Sequence, residues 1–242
     1  MIPRKIHYCW FGQGNMADSI QMCIDSWIKH LPEYELVLWN EENFDVNSNP
    51  YVKEAYEAKK FAFVTDYVRL YSLYEYGGIY MDTDVEVIKS LDPFLHHRAF
   101  TGCENEFSCV TGTMAAEAKH PWIEKLLSYY EGRNFILPDG SFDLTTNTEI
   151  ITNFTKKEYN WKPENAHQKL KDDLHIYPFD FFCAKVPAYR NLYITENTHT
   201  IHHFSGSWVA KTPKDKLIKL LGPRITKKLV TFKRLLKKND GF

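Results

Sequence analysis

The 242-residue sequence lacks three features that would mark a specialised class of protein. Its five cysteines form no Cys-x-x-Cys pair, so neither a zinc ribbon nor a disulfide framework is indicated, and reduced thiols in a cytoplasm fit best. The opening MIPRKIHYCWFG has no apolar stretch of signal-peptide length, and no apolar run approaches the roughly 20 residues that span a bilayer. We find no internal repeat or low-complexity linker. These absences predict a cytoplasmic chain without a membrane-spanning segment.

The formal net charge of -1 hides a strongly basic C-terminal segment. Residues 209–242 hold 11 Lys/Arg and 2 Asp/Glu, whereas residues 1–208 hold 19 and 29. Within this segment, Lys214–Lys238 carries apolar residues at helical spacing. Cationic amphipathic helices bind anionic membrane surfaces, and each basic residue near the surface contributes about 1 kcal/mol. We expect a domain over 1–208 and a membrane-binding helical extension over 209–242; the alternative is a helix pair packed on the domain. No motif for nucleic acid is present.

Strands and helices alternate in the first third of the sequence. The hydrophobic pattern predicts strands at Lys5–Phe11, Glu35–Trp39 and Ile79–Met81, and helices at Asp18–His30 and Phe61–Tyr76. Further along, it predicts strands at Ala99–Cys103 and Thr200–Phe204 and helices at Trp122–Glu131 and Leu144–Phe154. This alternation indicates an α/β domain with a Rossmann-like, mainly parallel sheet, in which ligands bind beyond the carboxyl ends of the strands.

The stretch GGIYMDTDVEV, Gly77–Val87, places Asp82 and Asp84 directly after a short apolar strand. Residues two apart in a strand share a face, so both carboxylates would repel each other unless a positive charge lay between them. Paired carboxylates hold Mg²⁺ or Mn²⁺, which take further ligands from substrate phosphates. The motif therefore predicts a metal that neutralises charge on a departing diphosphate, as in Lewis-acid catalysis. A solvated acidic turn is the alternative.

Asp66 and Arg69 lie three residues apart in the helix that precedes this strand. As an exposed pair they would contribute only about 0.3 kcal/mol. If the helix packs against the strand that carries Asp82, the same pair is placed to contact the hydroxyls and phosphate of a sugar donor.

The run FAFVTDYVRLYSLYEYGGIYMDTDVEV, preceded by IPRKIHYCWFG and followed by IHHFSGSW, resembles the Asp-x-Asp enzymes of glycosyltransferase family 32. That family includes bacterial capsular and lipopolysaccharide enzymes and yeast initiating mannosyltransferases, and its core pattern is shared with the glucosyltransferase domain of large clostridial toxins. The resemblance extends in order from Ile2 to Trp208. It implies a GT-A catalytic domain over 1–208 that retains the anomeric configuration and uses Mn²⁺ or Mg²⁺ with a nucleotide-sugar, a UDP-hexose above all.

The resemblance also implies the residues of the site. The catalytic candidates are Asp66, Arg69, Asp82 and Asp84. The donor-binding candidates are Cys9, Trp10, Thr65, Asp66, Arg69, Tyr80, Asp82, Ser207 and Trp208. Trp10 matches a tryptophan that stacks on uracil, with an ordinary core tryptophan as the alternative, and Ser207 and Trp208 match a loop that closes over the donor.

The metal ligands implied are Asp82, Asp84 and one late histidine. His202 and His203 are adjacent in a predicted strand, so their side chains point to opposite faces and only one reaches the metal. The related Asp-x-Asp enzymes carry this histidine in a His-aromatic-small-Gly context, which HFSG resembles with His203 as the ligand; the alternative is that both histidines are structural.

The acceptor side of the site is less defined. The family implies a lipid-linked capsular or lipopolysaccharide precursor at the inner face of the cell membrane, with the leaving diphosphate helping to remove the acceptor proton. No carboxylate nucleophile is assigned, although Glu104, Asp143 and Glu149 are available. The segment TTNTEI, Thr145–Ile150, lies where many members of the family carry a Thr-Gly-Pro turn. The sequence does not indicate the oligomeric state.

Two other classes of protein also place aspartates in this pattern. A magnesium-dependent phosphohydrolase of haloacid dehalogenase type would carry Thr or Val where Glu86 stands, and its motif would lie near the N-terminus. A non-catalytic sugar- or calcium-binding module of EF-hand type needs Gly and Glu at the sixth and twelfth loop positions, which are Val87 and Pro93 here. The sequence therefore favours a glycosyltransferase.

Overall fold

The computed structural model of the protein describes residues 1–105, 107–186 and 191–205. Its helices are α1 (Asp18–His30), α2 (Pro50–Glu57), α3 (Phe61–Tyr76), α4 (Pro121–Ser128), α5 (Asn147–Tyr159) and α6 (Phe179–Phe182). Its strands are β1 (Lys5–Cys9), β2 (Glu35–Trp39), β3 (Gly78–Met81), β4 (Val85–Val87), β5 (Ala99–Asn105), β6 (Ser108–Ala116), β7 (Gln168–Lys169), β8 (Leu174–Tyr177), β9 (Lys185–Val186), β10 (Asn191–Leu192) and β11 (Thr200–His202). Turns of 3₁₀ helix lie at Asp92–Phe94 and Lys171–Asp173.

A seven-stranded sheet in the order β2-β1-β3-β6-β5-β8-β7 forms the centre of the described domain. β1 is parallel to β2 and β3, and β5 is parallel to β8. β6 is antiparallel to both β3 and β5, and β7 is antiparallel to β8. Five of these seven strands therefore run in one direction, which confirms the predicted α/β architecture with a mainly parallel sheet.

Helices cover both faces of this sheet. On β3, Ile79 packs into the core that includes Trp27 of α1, whereas Tyr80 packs into the core that includes Val64 and Val68 of α3. Adjacent strand residues point to opposite faces, so a strand buried on both sides must be apolar throughout. The indole nitrogen of Trp27 also donates to the Val85 carbonyl at 2.7 Å, which ties α1 to β4.

Two glycines make the turn from α3 into β3. Gly77 has φ of 64° and Gly78 has φ of 116°, conformations that residues with a Cβ rarely adopt. A Cβ on Gly77 would lie 2.6 Å from the Ala118 amide nitrogen, and one on Gly78 would lie 2.8 Å from the Lys5 carbonyl oxygen. The Gly-Gly pair thus lets α3 pack closely against the strand that leads to Asp82.

The predicted bounds of α1, β2 and α3 match those of the structure, but several others differ. β1 ends at Cys9, two residues early, and β11 ends at His202. The sequence also placed Asp82 and Asp84 in strand geometry, whereas both lie in the turn between β3 and β4. Among the described residues, none of the helices combines the length and apolarity needed to cross a bilayer. Residues 209–242 lie outside the described residues, so the predicted tail and domain boundary stay predictions.

Candidate active site

The two aspartates stand in a tight turn that leaves the carboxyl end of β3. The Asp82 amide donates to the Gly112 carbonyl at 2.9 Å, and the Val85 amide donates to the Asp82 carbonyl at 2.9 Å. These bonds close the turn, and β4 then pairs antiparallel with β11, with Val85 opposite His202. The pairing brings a residue from the end of the described chain next to the Asp-x-Asp motif.

His202, and not His203, points at the two carboxylates. Its Nε2 lies 3.2 Å from Asp84 Oδ1 and 3.8 Å from Asp82 Oδ2, and one ligand atom from each of the three residues lies within 4.8 Å of the others. The expectation that His203 joins the aspartates is therefore wrong. His203 directs its Nε2 to Glu86 Oε2 at 2.8 Å, because adjacent residues leave the strand on opposite sides.

Gly112 of β6 leaves room for the His202 ring. A Cβ at this position would lie 2.7 Å from His202 Nδ1 and 2.9 Å from Cε1. Nδ1 is buried and has no hydrogen-bond partner among the residues that the structure describes, so within them only Nε2 of this ring is engaged. The side chain of His202 is thus fixed by shape on one side and by the carboxylates on the other.

The pKa values of Asp84 and His202 move apart. Burial alone would raise the pKa of Asp84, but bonds from His202 and from the Ser205 amide and hydroxyl at 2.7 and 2.9 Å hold it below its usual range. Burial would lower the pKa of His202, yet Asp84 and then Asp82 raise it above its usual range. The raised pKa favours a protonated imidazole, which would supply one of the positive charges that the paired carboxylates require.

Arg69 supplies the other positive charge. Its Nη2 lies 3.1 Å from Asp66 Oδ1 and 3.2 Å from Asp82 Oδ1, with all three groups largely shielded from solvent. The guanidinium stacks 4.6 Å from the centre of the Tyr80 ring, and the Tyr80 hydroxyl donates to Asp82 Oδ1 at 2.9 Å. Asp66 and Arg69 are therefore not an exposed helix pair but part of a buried network that includes the Asp-x-Asp motif.

Burial raises the pKa of Asp66 to about 6, with Arg69 opposing the shift, Asp82 adding to it and Asn147 opposing it. Asn147 is the first residue of α5 and is buried. The TTNTEI segment, whose role the sequence left undefined, thus reaches Asp66.

Glu104 also lies near the aspartates. Burial raises its pKa, His202 opposes the shift and Asp82 adds to it. Of the three carboxylates considered from the sequence, Asp143 instead accepts from the Thr145 amide and faces Arg133 at 3.8 Å, and Glu149 lies in the first turn of α5. Of these three carboxylates, Glu104 is therefore the one that lies beside Asp82 and His202.

The remaining donor-binding candidates are placed unevenly. Cys9 is buried at the end of β1. Burial raises the pKa of its thiol, and the charge of Arg69 opposes this shift. The Thr65 hydroxyl donates to the Phe61 carbonyl at 3.0 Å within α3, and the Trp10 indole nitrogen donates to the Gly14 carbonyl. Ser207 and Trp208 lie outside the described residues. Donor contacts of these five residues stay predictions.

Comparisons with known proteins point to one family. The family model described as the glycosyltransferase sugar-binding region containing DXD motif matches residues 17–101, which include both aspartates and the Asp66–Arg69 pair. Inositol phosphoceramide mannosyltransferase 3 of Schizosaccharomyces pombe is 32% identical over 129 residues, which are 50% of this chain and 35% of the relative. Mannosyl phosphorylinositol ceramide synthase SUR1 of Saccharomyces cerevisiae is 24% identical over 194 residues, 74% of this chain and 50% of the relative.

The chain thus spans from about a third to half the length of these curated relatives. A solved structure described as PaToxG Glycosyltransferase aligns with 65% of this chain and 69% of its own, at 19% identity and a TM-score of 0.47. The region matched by the family model, residues 17–101, contains the Asp-x-Asp motif and the helix that supplies Arg69, in agreement with the resemblance to family 32. This part of the chain carries the glycosyltransferase sugar-binding region containing DXD motif.

Proposed function

We propose that the protein is a retaining, metal-dependent glycosyltransferase of GT-A type that moves a hexose from a nucleotide-sugar to a hydroxyl group of a glycan or lipid-linked acceptor. The observation that carries the proposal is the convergence of Asp82, Asp84 and His202 beside the buried Arg69 at the carboxyl end of β3. Ligands of α/β proteins bind at this edge of the sheet.

The residues present fit a divalent ion. Asp66, Asp82 and Asp84 carry three negative charges, and Arg69 carries one positive charge. If a divalent ion replaced the proton on His202, the charges of the ion, the three aspartates and Arg69 would sum to zero, with Glu104 as a further carboxyl group nearby. Carboxylate oxygens suit Mg²⁺ and Mn²⁺, and an imidazole ligand favours Mn²⁺ of the two. Asp82, Asp84 and His202 would hold the ion, which would stabilise negative charge on the departing diphosphate.

The side chains of the chain itself position the donor sugar. Arg69 is held by Asp66, Asp82 and the Tyr80 ring, so its guanidinium is fixed before a ligand arrives. A prepositioned cation stabilises developing negative charge without reorganisation at the moment of reaction. Asp66 is an acceptor for sugar hydroxyls on the same side, and the first turn of α5 closes that side through Asn147.

The motif resemblance and the curated relatives favour different donors and acceptors. The resemblance of the motifs favours a UDP-hexose and a capsular or lipopolysaccharide precursor. One curated relative is named as an inositol phosphoceramide mannosyltransferase and another as a mannosyl phosphorylinositol ceramide synthase, which favours a mannose donor and an inositol-bearing lipid. Both acceptors present a hydroxyl group on a lipid-anchored head group, and the basic segment 209–242 is suited to bring the protein to an anionic membrane face at the cytoplasmic side.

A donor panel tests this function. UDP- and GDP-activated glucose, galactose, N-acetylhexosamines and mannose are incubated with the chain and Mn²⁺, and release of nucleoside diphosphate is measured. One donor should be hydrolysed faster than the others, and Asp84→Asn should abolish the release and the Mn²⁺-dependent nucleotide binding while the circular dichroism spectrum is kept. Ser108→Ala, a change outside the metal-binding group, is the control. Hydrolysis of simple phosphate esters instead, or full activity in Asp84→Asn, would refute the proposal.

A further inference from the structure

A second group of ligand-type side chains lies at the opposite edge of the sheet. β3 and β5 run in the same direction, and both begin beside Ala116 of β6. His97 precedes β5 and so lies beyond the amino ends of these strands, whereas Asp82 follows the carboxyl end of β3. His97, Asp173 and His175 converge there, and this group is separate from the active site.

The spacing of these side chains matches a metal site. One ligand atom from each of His97, Asp173 and His175 lies within 4.8 Å of the others, and His175 Nε2 is 3.3 Å from Asp173 Oδ1. Nitrogen and oxygen ligands bound at about 2.0 to 2.2 Å in a tetrahedral zinc site are separated by about 3.3 to 3.5 Å. This pair therefore already stands at the separation that a shared ion requires.

Outer contacts orient the histidines. His175 Nδ1 pairs with His167 Nε2 at 2.9 Å, and His97 Nε2 pairs with the Tyr177 hydroxyl at 2.8 Å. Metal-binding histidines usually hold their second ring nitrogen on such a partner. The His97 and His175 side chains are buried, and the Asp173 side chain is 28% exposed, which gives an ion a route from solvent.

Two features of the group oppose the binding of an ion: an ion pair on Asp173 and the stacking of two histidine rings. Lys169 Nζ lies 2.7 Å from Asp173 Oδ1, but its side chain is 65% exposed, and an exposed ion pair of this kind contributes little. The His97 and His175 rings are stacked at 3.6 Å between centres, so the His97 ring must turn about χ2, a torsion with broad preferences, and give up its 2.8 Å contact with the Tyr177 hydroxyl, while His175 keeps its position beside Asp173. Neither change moves the backbone.

We propose that His97, Asp173 and His175 form a second divalent-metal site that takes Zn²⁺, with water as the fourth ligand. Two imidazoles and one carboxylate are a zinc donor set, whereas Mg²⁺ prefers oxygen ligands throughout. The bound ion links the segment before β5 to β8 and so fastens two neighbouring strands of the sheet at their amino ends.

Zinc titration of the untagged, chelator-treated full chain by calorimetry tests the site. Asp173→Asn and His175→Gln should each remove one zinc equivalent, weakening its binding at least about 100-fold, since loss of an outer contact alone costs about 10- to 100-fold. Asp84→Asn should keep this equivalent. His96→Gln is the matched control, because His96 is exposed and its ring lies 3.9 Å from that of His97, tilted by 49°, without joining the group.

Asp173 has φ of 55°, a conformation that asparagine tolerates, so Asp173→Asn should stay folded even if His175→Gln does not. Removing the competing charge by Lys169→Gln should tighten zinc binding, whereas Lys171→Gln, whose amine lies over the Tyr159 ring, should leave it unchanged. A wild-type chain that binds no zinc beyond the Asp84-dependent equivalent, or Asp173→Asn with unaltered binding, would overturn the proposal.

Discussion

Replacing Gly112 by alanine should displace the His202 ring although none of the three proposed metal ligands is itself substituted. The new methyl group would lie 2.7, 2.9 and 3.2 Å from Nδ1, Cε1 and Cγ of the imidazole. Ordinary contact begins near 3.4 Å, so the ring must move by about 0.7 Å. It cannot do so freely, since its Nε2 is held 3.2 Å from Asp84 Oδ1 and the ring stacks on Phe204 at 3.9 Å.

The size of the effect follows from this overlap. Adding a methyl group to a packed interior costs about 1 to 3 kcal/mol of the free energy of unfolding. A displaced ligand should weaken Mn²⁺ binding by about 10- to 100-fold, the range found when a contact that orients a metal ligand is lost. Nucleotide binding that depends on Mn²⁺ should weaken with it.

Calorimetric Mn²⁺ titration and urea denaturation measure these two quantities. Gly14→Ala is the matched control, because Gly14 is exposed and its Cβ would meet no atom within 4 Å in the described part of the chain. If Gly112→Ala were folded and bound Mn²⁺ as tightly as the wild type, His202 would not be a ligand, and the arrangement of the site would need another explanation.

Three further predictions concern the charges of the protein. Arg69→Met leaves Asp66 and Asp82 buried without their shared cation and should lower the free energy of unfolding by about 3 to 5 kcal/mol in urea titrations; a loss below about 1 kcal/mol would show that solvent already screens the pair. The carboxylate partners of His202 raise its pKa, so Mn²⁺ affinity should increase as pH rises through that pKa and the proton leaves. In the metal-free protein, the stability that the charged pair provides is lost over the same pH interval. An Mn²⁺ affinity that does not change between pH 6 and 8 would argue against a proton on His202. Removing residues 209–242 should release the protein from liposomes of anionic lipid in sedimentation assays, and unchanged binding would exclude this segment as the anchor.

Local patterns in the sequence were sufficient for the elements that build the site. The helical stripe of Phe61–Tyr76, the Gly77-Gly78 stop and the apolar strand before Asp82 all lie within one stretch, so periodicity and turn chemistry determine them together. The same stretch carries Asp66 and Arg69, and the structure confirms that this helix packs against the strand that leads to Asp82.

Contacts between distant segments could not be predicted from local patterns. The choice between His202 and His203 depends on the register of β11 against β4, since both residues have the same chemistry and only pairing decides which faces the aspartates. Gly112 gave no signal at all, because its role is the space it leaves for a ring 90 positions further along the chain. The insertion of antiparallel β6 between β3 and β5 likewise depends on long-range pairing.

The origin of the three converging side chains in the sequence affects how the protein is made. Asp82 and Asp84 leave the ribosome with Arg69 already synthesised, but His202 follows 120 residues later. At translation rates of about 5 to 20 residues per second, about 6 to 24 s pass between the synthesis of the aspartates and that of His202. A nascent chain in this interval lacks the imidazole, so the proposed metal site can be completed only after His202 has been synthesised.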